Sequence, residues 1–169
     1  LKDMEKAANR INYAVNKSQR IAIFADYDVD GATSGALLHD WLTQLGNTPT
    51  LYVPDRIDEG YGPNDEAMQT LAKSHELIIC VDCGTLSHGP INAVAGTDVI
   101  ILDHHLGGET LPSALAIVNP NRQDEAGDLN YLCAAGVVFL TLAAINSLRR
   151  AESMQTPDLL AMLDLVALG

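Results

Sequence analysis

Ile21-Ala22-Ile23-Phe24-Ala25-Asp26-Tyr27-Asp28-Val29-Asp30-Gly31-Ala32 is the stretch on which the reading of the fold turns. Its first part, Ile21 to Phe24, is a continuous apolar run that reads as a buried strand. Three aspartates follow at alternate positions, and after Gly31 an apolar stripe of Ala32, Ala36, Leu37, Trp41, Leu42 and Leu45 marks a helix ending near Gly46. Strand, acidic loop and helix succeed one another.

Upstream, Met4, Ala7, Ala8, Ile11 and Val15 recur at three- and four-residue intervals and predict an amphipathic helix over Lys2 to Lys17. Downstream the alternation repeats. Thr50 to Val53 reads as a short strand, Pro54 to Gly62 as a polar loop, and Asn64 as the cap of a helix through Lys73. Leu77 to Val81 and Val99 to Leu102 are uninterrupted apolar runs rich in Ile and Val, as expected of strands covered on both faces of a parallel sheet. Ala114 to Val118 supplies a fifth strand, Leu132 to Leu148 a deeply buried helix, and Thr156-Pro157 the capped start of another. The expected fold is α/β, a mainly parallel five-stranded sheet with helices on both faces.

Composition bounds the function. At 169 residues, 47% apolar and 19% charged, the chain is long enough for one ordinary globular domain with a single core. The apolar run Leu132 to Ile145 falls short of the ~20 residues that cross a bilayer, and the N-terminal residues lack a signal peptide's apolar centre. Cys80, Cys83 and Cys133 cannot pair completely and suit a reducing compartment, so the expected setting is cytoplasmic, with no membrane partner. A net charge of −12 argues against broad adhesion to nucleic acid, although acids gathered at one place attract divalent cations.

The acids do gather. In an open parallel sheet the ligand site lies beyond the carboxyl ends of the strands. Asp26, Asp28 and Asp30 follow the first strand, Asp82 closes the third, and Asp103, His104 and His105 close the fourth. Three carboxylates within five residues repel one another unless a cation or backbone N–H groups offset the charge, and a divalent metal is the simplest account. Hard oxygen donors favour Mn²⁺ or Mg²⁺ over Zn²⁺, and the number of carboxylates suggests two ions. An aspartate after a strand is often only a helix cap, and a lone histidine is usually structural; the joint pattern is what carries weight. Cys80 and Cys83 form a C-x-x-C, but residues three apart on a strand are expected on opposite faces, and no second pair completes a zinc site.

The runs Asp26-Tyr27-Asp28-Val29-Asp30-Gly31-Ala32-Thr33-Ser34, Val81-Asp82-Cys83-Gly84 and Asp103-His104-His105 resemble the ordered motifs of the DHH phosphoesterase superfamily. Within it, Pro54-Asp55-Arg56, Gly60-Tyr61-Gly62, Gly108 to Pro112, Asn119-Pro120-Asn121 and Ala135-Gly136-Val137 look like the RecJ-type single-strand-specific exonucleases. The resemblance implies metal ligands at Asp28, Asp30, Asp82 and His104, with Asp82 bridging two Mn²⁺ ions. It implies His105 facing the scissile phosphate, Asp26 orienting a ligand, and Asp103 fixing an imidazole tautomer. Arg56, Tyr61, Asn121 and Arg122 are candidates for contact with substrate.

The implied partner is single-stranded DNA, with a helicase or single-strand-binding protein as further partners of a longer enzyme. The same motifs would serve a relative acting on small oligonucleotides, cyclic dinucleotides or pyrophosphate, or a metal-free scaffold. Two departures stand out: Phe24 occupies a position where many relatives carry histidine, and the family continues beyond Gly169 into another metal-binding aspartate and a second domain that grips nucleic acid, expected to be absent here.

Overall fold

The continuous apolar runs become the centre of a sheet. A computed structural model describes residues 1–94 and 96–169. Strands β1 (Ile21–Ala25), β2 (Thr50–Tyr52), β3 (Leu77–Val81), β4 (Asp98–Leu102) and β5 (Ala116–Val118) form one sheet in the order β2-β1-β3-β4-β5. Every pairing is parallel, with Ile23 opposite Leu51 and Ile79, Ile79 opposite Ile100, and Ile101 opposite Ile117.

Side chains of a strand alternate between faces, and each face here has its own core. Ile21, Ile23, Ala25, Leu77, Ile79, Val81, Ile100 and Leu102 pack with helices α1 (Met4–Asn16), α2 (Val29–Gln44) and α5 (Ala134–Ala151). Ala22, Phe24, Ile78, Cys80, Val99 and Ile101 pack with α3 (Asp65–Ala72) and the short α4 (His88–Asn92). The chain after β1 enters α2 on one face, and the chain after β3 enters α4 on the other. The two loops therefore part, opening a crevice at the carboxyl ends of neighbouring strands.

Asn64 caps α3 as expected, its side chain accepting the Ala67 N–H at 2.9 Å. Three other expectations need correction. Thr156-Pro157 does not begin a helix: Asp158 caps a 3-10 turn, Leu159–Met162, which leads into α6 (Leu163–Leu168). α5 runs to 18 residues and is long and apolar enough by composition to cross a membrane, yet it lies packed against α1 and α2. Cys80 and Cys83 share the α3 face, because β3 ends at Val81 and Asp82 adopts φ +60°, which breaks the alternation between them.

Gly31 shows how tightly the β1–α2 turn is drawn. A Cβ there would lie 2.4 Å from the Asp26 carbonyl oxygen, a backbone atom that cannot swing aside. At Gly35 the added atom would meet only the side chains of Ala25 and Leu51, at 3.2 and 3.3 Å. Urea unfolding should accordingly find Gly31→Ala destabilised by about 2–3 kcal/mol, even though Ala favours a helix by ~1 kcal/mol over Gly. Gly35→Ala should stay within ~1 kcal/mol of the unsubstituted chain. Equal effects would contradict the close approach.

Candidate metal centre

Each acid of the crevice is delivered by a different local device. Asp28 is the N-cap of α2, with Oδ1 accepting the Gly31 N–H at 3.0 Å. Asp30 lies two residues further on, in the first turn of α2, and its carboxylate oxygens accept the N–H groups of Ala134 and Ala135 at 2.7 and 2.8 Å, at the amino end of α5. The positive end of that helix thus holds one of the three clustered charges. Asp26 is buried directly after β1, and its Oδ1 has no hydrogen-bond partner.

Asp82 is the centre of the arrangement. It is 1% exposed, its backbone is left-handed, and neither carboxylate oxygen accepts a hydrogen bond. His104 Nε2 stands 3.3 Å from Asp82 Oδ1 and 3.5 Å from Asp30 Oδ2. The other nitrogen of that ring, Nδ1, lies 3.1 Å from the Leu132 carbonyl, to which it can only donate. This leaves Nε2 aimed at carboxylate oxygens, an arrangement that a shared proton or a bound cation between them makes favourable.

Ligand atoms of Asp26, Asp28 and Asp82 lie within 4.8 Å of one another, as do those of Asp82, His104 and His105. Asp82 belongs to both groups. The donors present therefore fit divalent ions: a buried carboxylate with both oxygens unpaired, another with one, a correctly presented imidazole, and one carboxylate shared by two clusters.

The surroundings tune these groups. Burial, joined by the nearby charges of Asp30 and Asp28, raises Asp82 to about 8. Burial likewise raises Asp26. Asp103 is also buried, which alone would raise it, but hydrogen bonds from His105 and Thr85 prevail and hold it at about 2. His105 Nδ1 donates to Asp103 Oδ1 at 2.8 Å, and this bond raises the imidazole to about 9. Asp103 thereby fixes the orientation of the His105 ring and directs Nε2 away from itself.

Of the expected substrate contacts, Tyr61 reaches the centre, its hydroxyl 3.3 Å from both ring nitrogens of His105. Its ring meets Tyr27 edge-on at 6.4 Å, and Arg56 lies 5.5 Å over Tyr27, so Arg56 joins the rim through two aromatic rings. Asn121 serves the site from beneath, donating to the His104 carbonyl. Arg122 is a correction. Its guanidinium is engaged by Asp3 at 2.8 Å, by Asp124 at 2.9 Å and by the Ile117 carbonyl at 2.7 Å, which makes it a latch between α1 and the β5 loop.

Phe24 is buried on the α3 face, stacked on Tyr52 at 5.2 Å, and so contributes nothing to the centre. Thr85 and Asn119 are supporting residues that sequence reasoning did not single out. Asn119 lay within a quoted motif, but its spacing alone did not indicate a partner.

Residues 20–169 match the DHH family, N-terminal domain. The chain is 39% identical over 174 residues to the single-stranded-DNA-specific exonuclease RecJ of Dickeya dadantii, covering 97% of this chain and 30% of that protein. It is 38% identical over 179 residues to its Escherichia coli counterpart, covering 100% and 31%. A crystal structure of exonuclease RecJ bound to manganese superposes with a TM-score of 0.85 at 32% identity, over 99% of this chain and 42% of that one. RecJ from Thermus thermophilus in complex with Mn²⁺ gives 0.78 at 30% identity, over 99% and 23%. The chain thus spans less than a third of the length of the curated relatives.

The titrations predict a pH profile for the metal-free protein. Asp82 holds its proton to about 8 when folded but to only ~3.9 when unfolded. Between those values the folded state binds more protons, so stability falls as pH rises. His105 acts in the same direction: the stability it contributes below ~6.5 is lost as pH climbs through about 9. Asp103, held at about 2, contributes stability above ~4 that disappears in acid. Urea unfolding in chelator should show a maximum near pH ~4–6 and a decline toward ~9, which added Mn²⁺ reverses by replacing the proton on Asp82. A flat profile in chelator would contradict an unpaired, buried Asp82.

Proposed function

Because the chain belongs to the DHH family, N-terminal domain, we propose that it is the metal-dependent phosphodiesterase part of a single-strand-specific DNA exonuclease, working with two Mn²⁺ ions or, in their place, Mg²⁺. The observation that carries this reading is Asp82, a buried carboxylate with two unpaired oxygens common to both donor clusters. The likeness to manganese-bound RecJ at 32% identity supports the choice of metal.

Asp26, Asp28 and Asp82 would hold one ion; Asp82 and His104, with Asp30 at 3.5 Å from His104, would hold the other. Two such ions, when bound, lower the pKa of a shared water and stabilise the oxygens of an in-line displacement at phosphorus. The remaining roles belong to the chain's own side chains. His105, charged by its bond to Asp103, offers Nε2–H to a phosphate oxygen or the leaving oxygen. Arg56 supplies the planar cation at the rim, and Tyr61 an exposed ring against which a terminal base can stack.

We further propose a helicase or single-strand-binding protein as the partner that exposes the unpaired strand, and DNA repair and recombination as the setting. The three free thiols fit a reducing, cytoplasmic setting.

The test joins this chain to the remaining part of the Dickeya dadantii relative and measures release of nucleotides from 5′-labelled single-stranded DNA. Hydrolysis should depend on Mn²⁺ and disappear in chelator. Asp82→Ala should reduce it by more than the ~100-fold that losing an outer-shell partner brings, while Cys80→Ser, away from the donors, should leave turnover near its starting value. Faster turnover of dinucleotides than of the strand would overturn the substrate assignment.

A further inference from the structure

His104 and His105 follow β4 in a segment with neither helix nor strand bonding, so something else must hold their backbone. The amide ends are held from within the loop: the N–H groups of His104 and His105 donate to Asp103 Oδ1 at 2.7 and 3.2 Å. The carbonyl ends are held from the next loop. Asn119, directly after β5 and wholly buried, donates through Nδ2 to the His105 carbonyl at 2.9 Å. Its Oδ1 accepts the Asn121 N–H at 2.7 Å, and Asn121 donates in turn to the His104 carbonyl.

Thr85, after β3, closes the circuit. Its N–H donates to Asp103 Oδ2 at 3.1 Å and its hydroxyl accepts from Asn119 Nδ2 at 2.9 Å. A short turn-forming asparagine would need only the Oδ1 contact with Asn121. Here both donors of the amide leave the turn and tie it to two other loops, which a purely local role does not require.

We propose that Asn119 is a positioning residue for the two histidines, clamping the loops after β3, β4 and β5 so that His104 and His105 present their Nε2 atoms to the metal and the phosphate. The proposal rests on the reading of His104 as a ligand. Removing the amide donors frees the His105 carbonyl and the Thr85 hydroxyl together, and with them the backbone that fixes both rings.

Amide hydrogen exchange and Mn²⁺ titration of this chain provide the test. Asn119→Asp keeps the acceptor and size but lacks the donors; Asn119→Ser removes them without adding charge. Both should speed exchange of the His104 and His105 amides at least ~10-fold while the amides of β4 stay protected. Both should weaken Mn²⁺ binding about 10- to 100-fold. Thr85→Val should reproduce part of the loss, and Thr85→Ser, which keeps the hydroxyl, should restore the original values.

Unchanged exchange in both Asn119 variants would overturn the proposal. So would uniform loss of protection across β1, β3 and β4, which would make Asn119 a residue of the fold alone. Should the unsubstituted chain bind no Mn²⁺, the metal reading fails, and the exchange rates in metal-free protein still decide the clamp.

Discussion

A carboxylate buried without a hydrogen bond is the constraint around which this molecule is arranged. Asp82 has both oxygens shielded from water and unpaired, at a backbone angle of φ +60° that non-glycine residues seldom adopt. Each of these features alone opposes folding, by desolvation in one case and by ~1–3 kcal/mol of local strain in the other. They persist because the surrounding structure over-determines them. The Asp82 N–H bonds the Leu102 carbonyl at 3.0 Å, extending the β3–β4 ladder by one residue before the chain turns away. Its side chain is thereby aimed into the crevice.

Topology explains why the crevice lies where it does. The strand order reverses around β1, and the helices that follow β1 and β3 leave on opposite faces. Backbone amides at helix starts, which elsewhere bind phosphate, here serve the protein's own acids: Asp28 caps α2 and Asp30 caps α5. Two of the clustered carboxylates are therefore partly compensated by peptide dipoles, while Asp26 keeps one oxygen unpaired and Asp82 both. That division separates the charges the fold can neutralise from those that only a cation can.

Much of this was legible in the sequence because it depends on residue type and period. Short continuous runs rich in Ile and Val, such as Leu77 to Val81, read as strands covered on both faces, and acids placed after such parallel strands reach the same edge. Signals that depend on a single backbone angle were not legible. The expectation that Cys80 and Cys83 face apart holds inside a strand, but Asp82 turns left-handed between them and returns Cys83 to the same side. Arg122 looked like a free loop cation, whereas its partners, Asp3 and Asp124, are identifiable only once α1 lies beside β5. Asn119 was opaque for the same reason: its partners Thr85 and His105 are distant in sequence and belong to other loops.

The charge pattern shows what the metal adds beyond chemistry. With 22 acids against 10 Lys and Arg, the chain as a whole repels a polyanion. Several cations are already committed elsewhere: Lys2 to Asp124, Arg10 to Asp98, Arg20 to Glu76 and Arg122 to Asp3, with Arg149 buried against Asn12 and Asn16. At the crevice His105 and, from the rim beside Tyr27, Arg56 stand against five acids, Asp26, Asp28, Asp30, Asp82 and Asp103. A phosphate approaching the bare site meets a negative field that those two groups cannot cancel. Divalent ions would be the largest local charges and would invert that field where the proposed phosphate would sit. On the proposed reading, capture of the metal and attraction of the substrate would be one electrostatic event, because the clustering of acids that weakens the empty crevice is what would allow it to change sign.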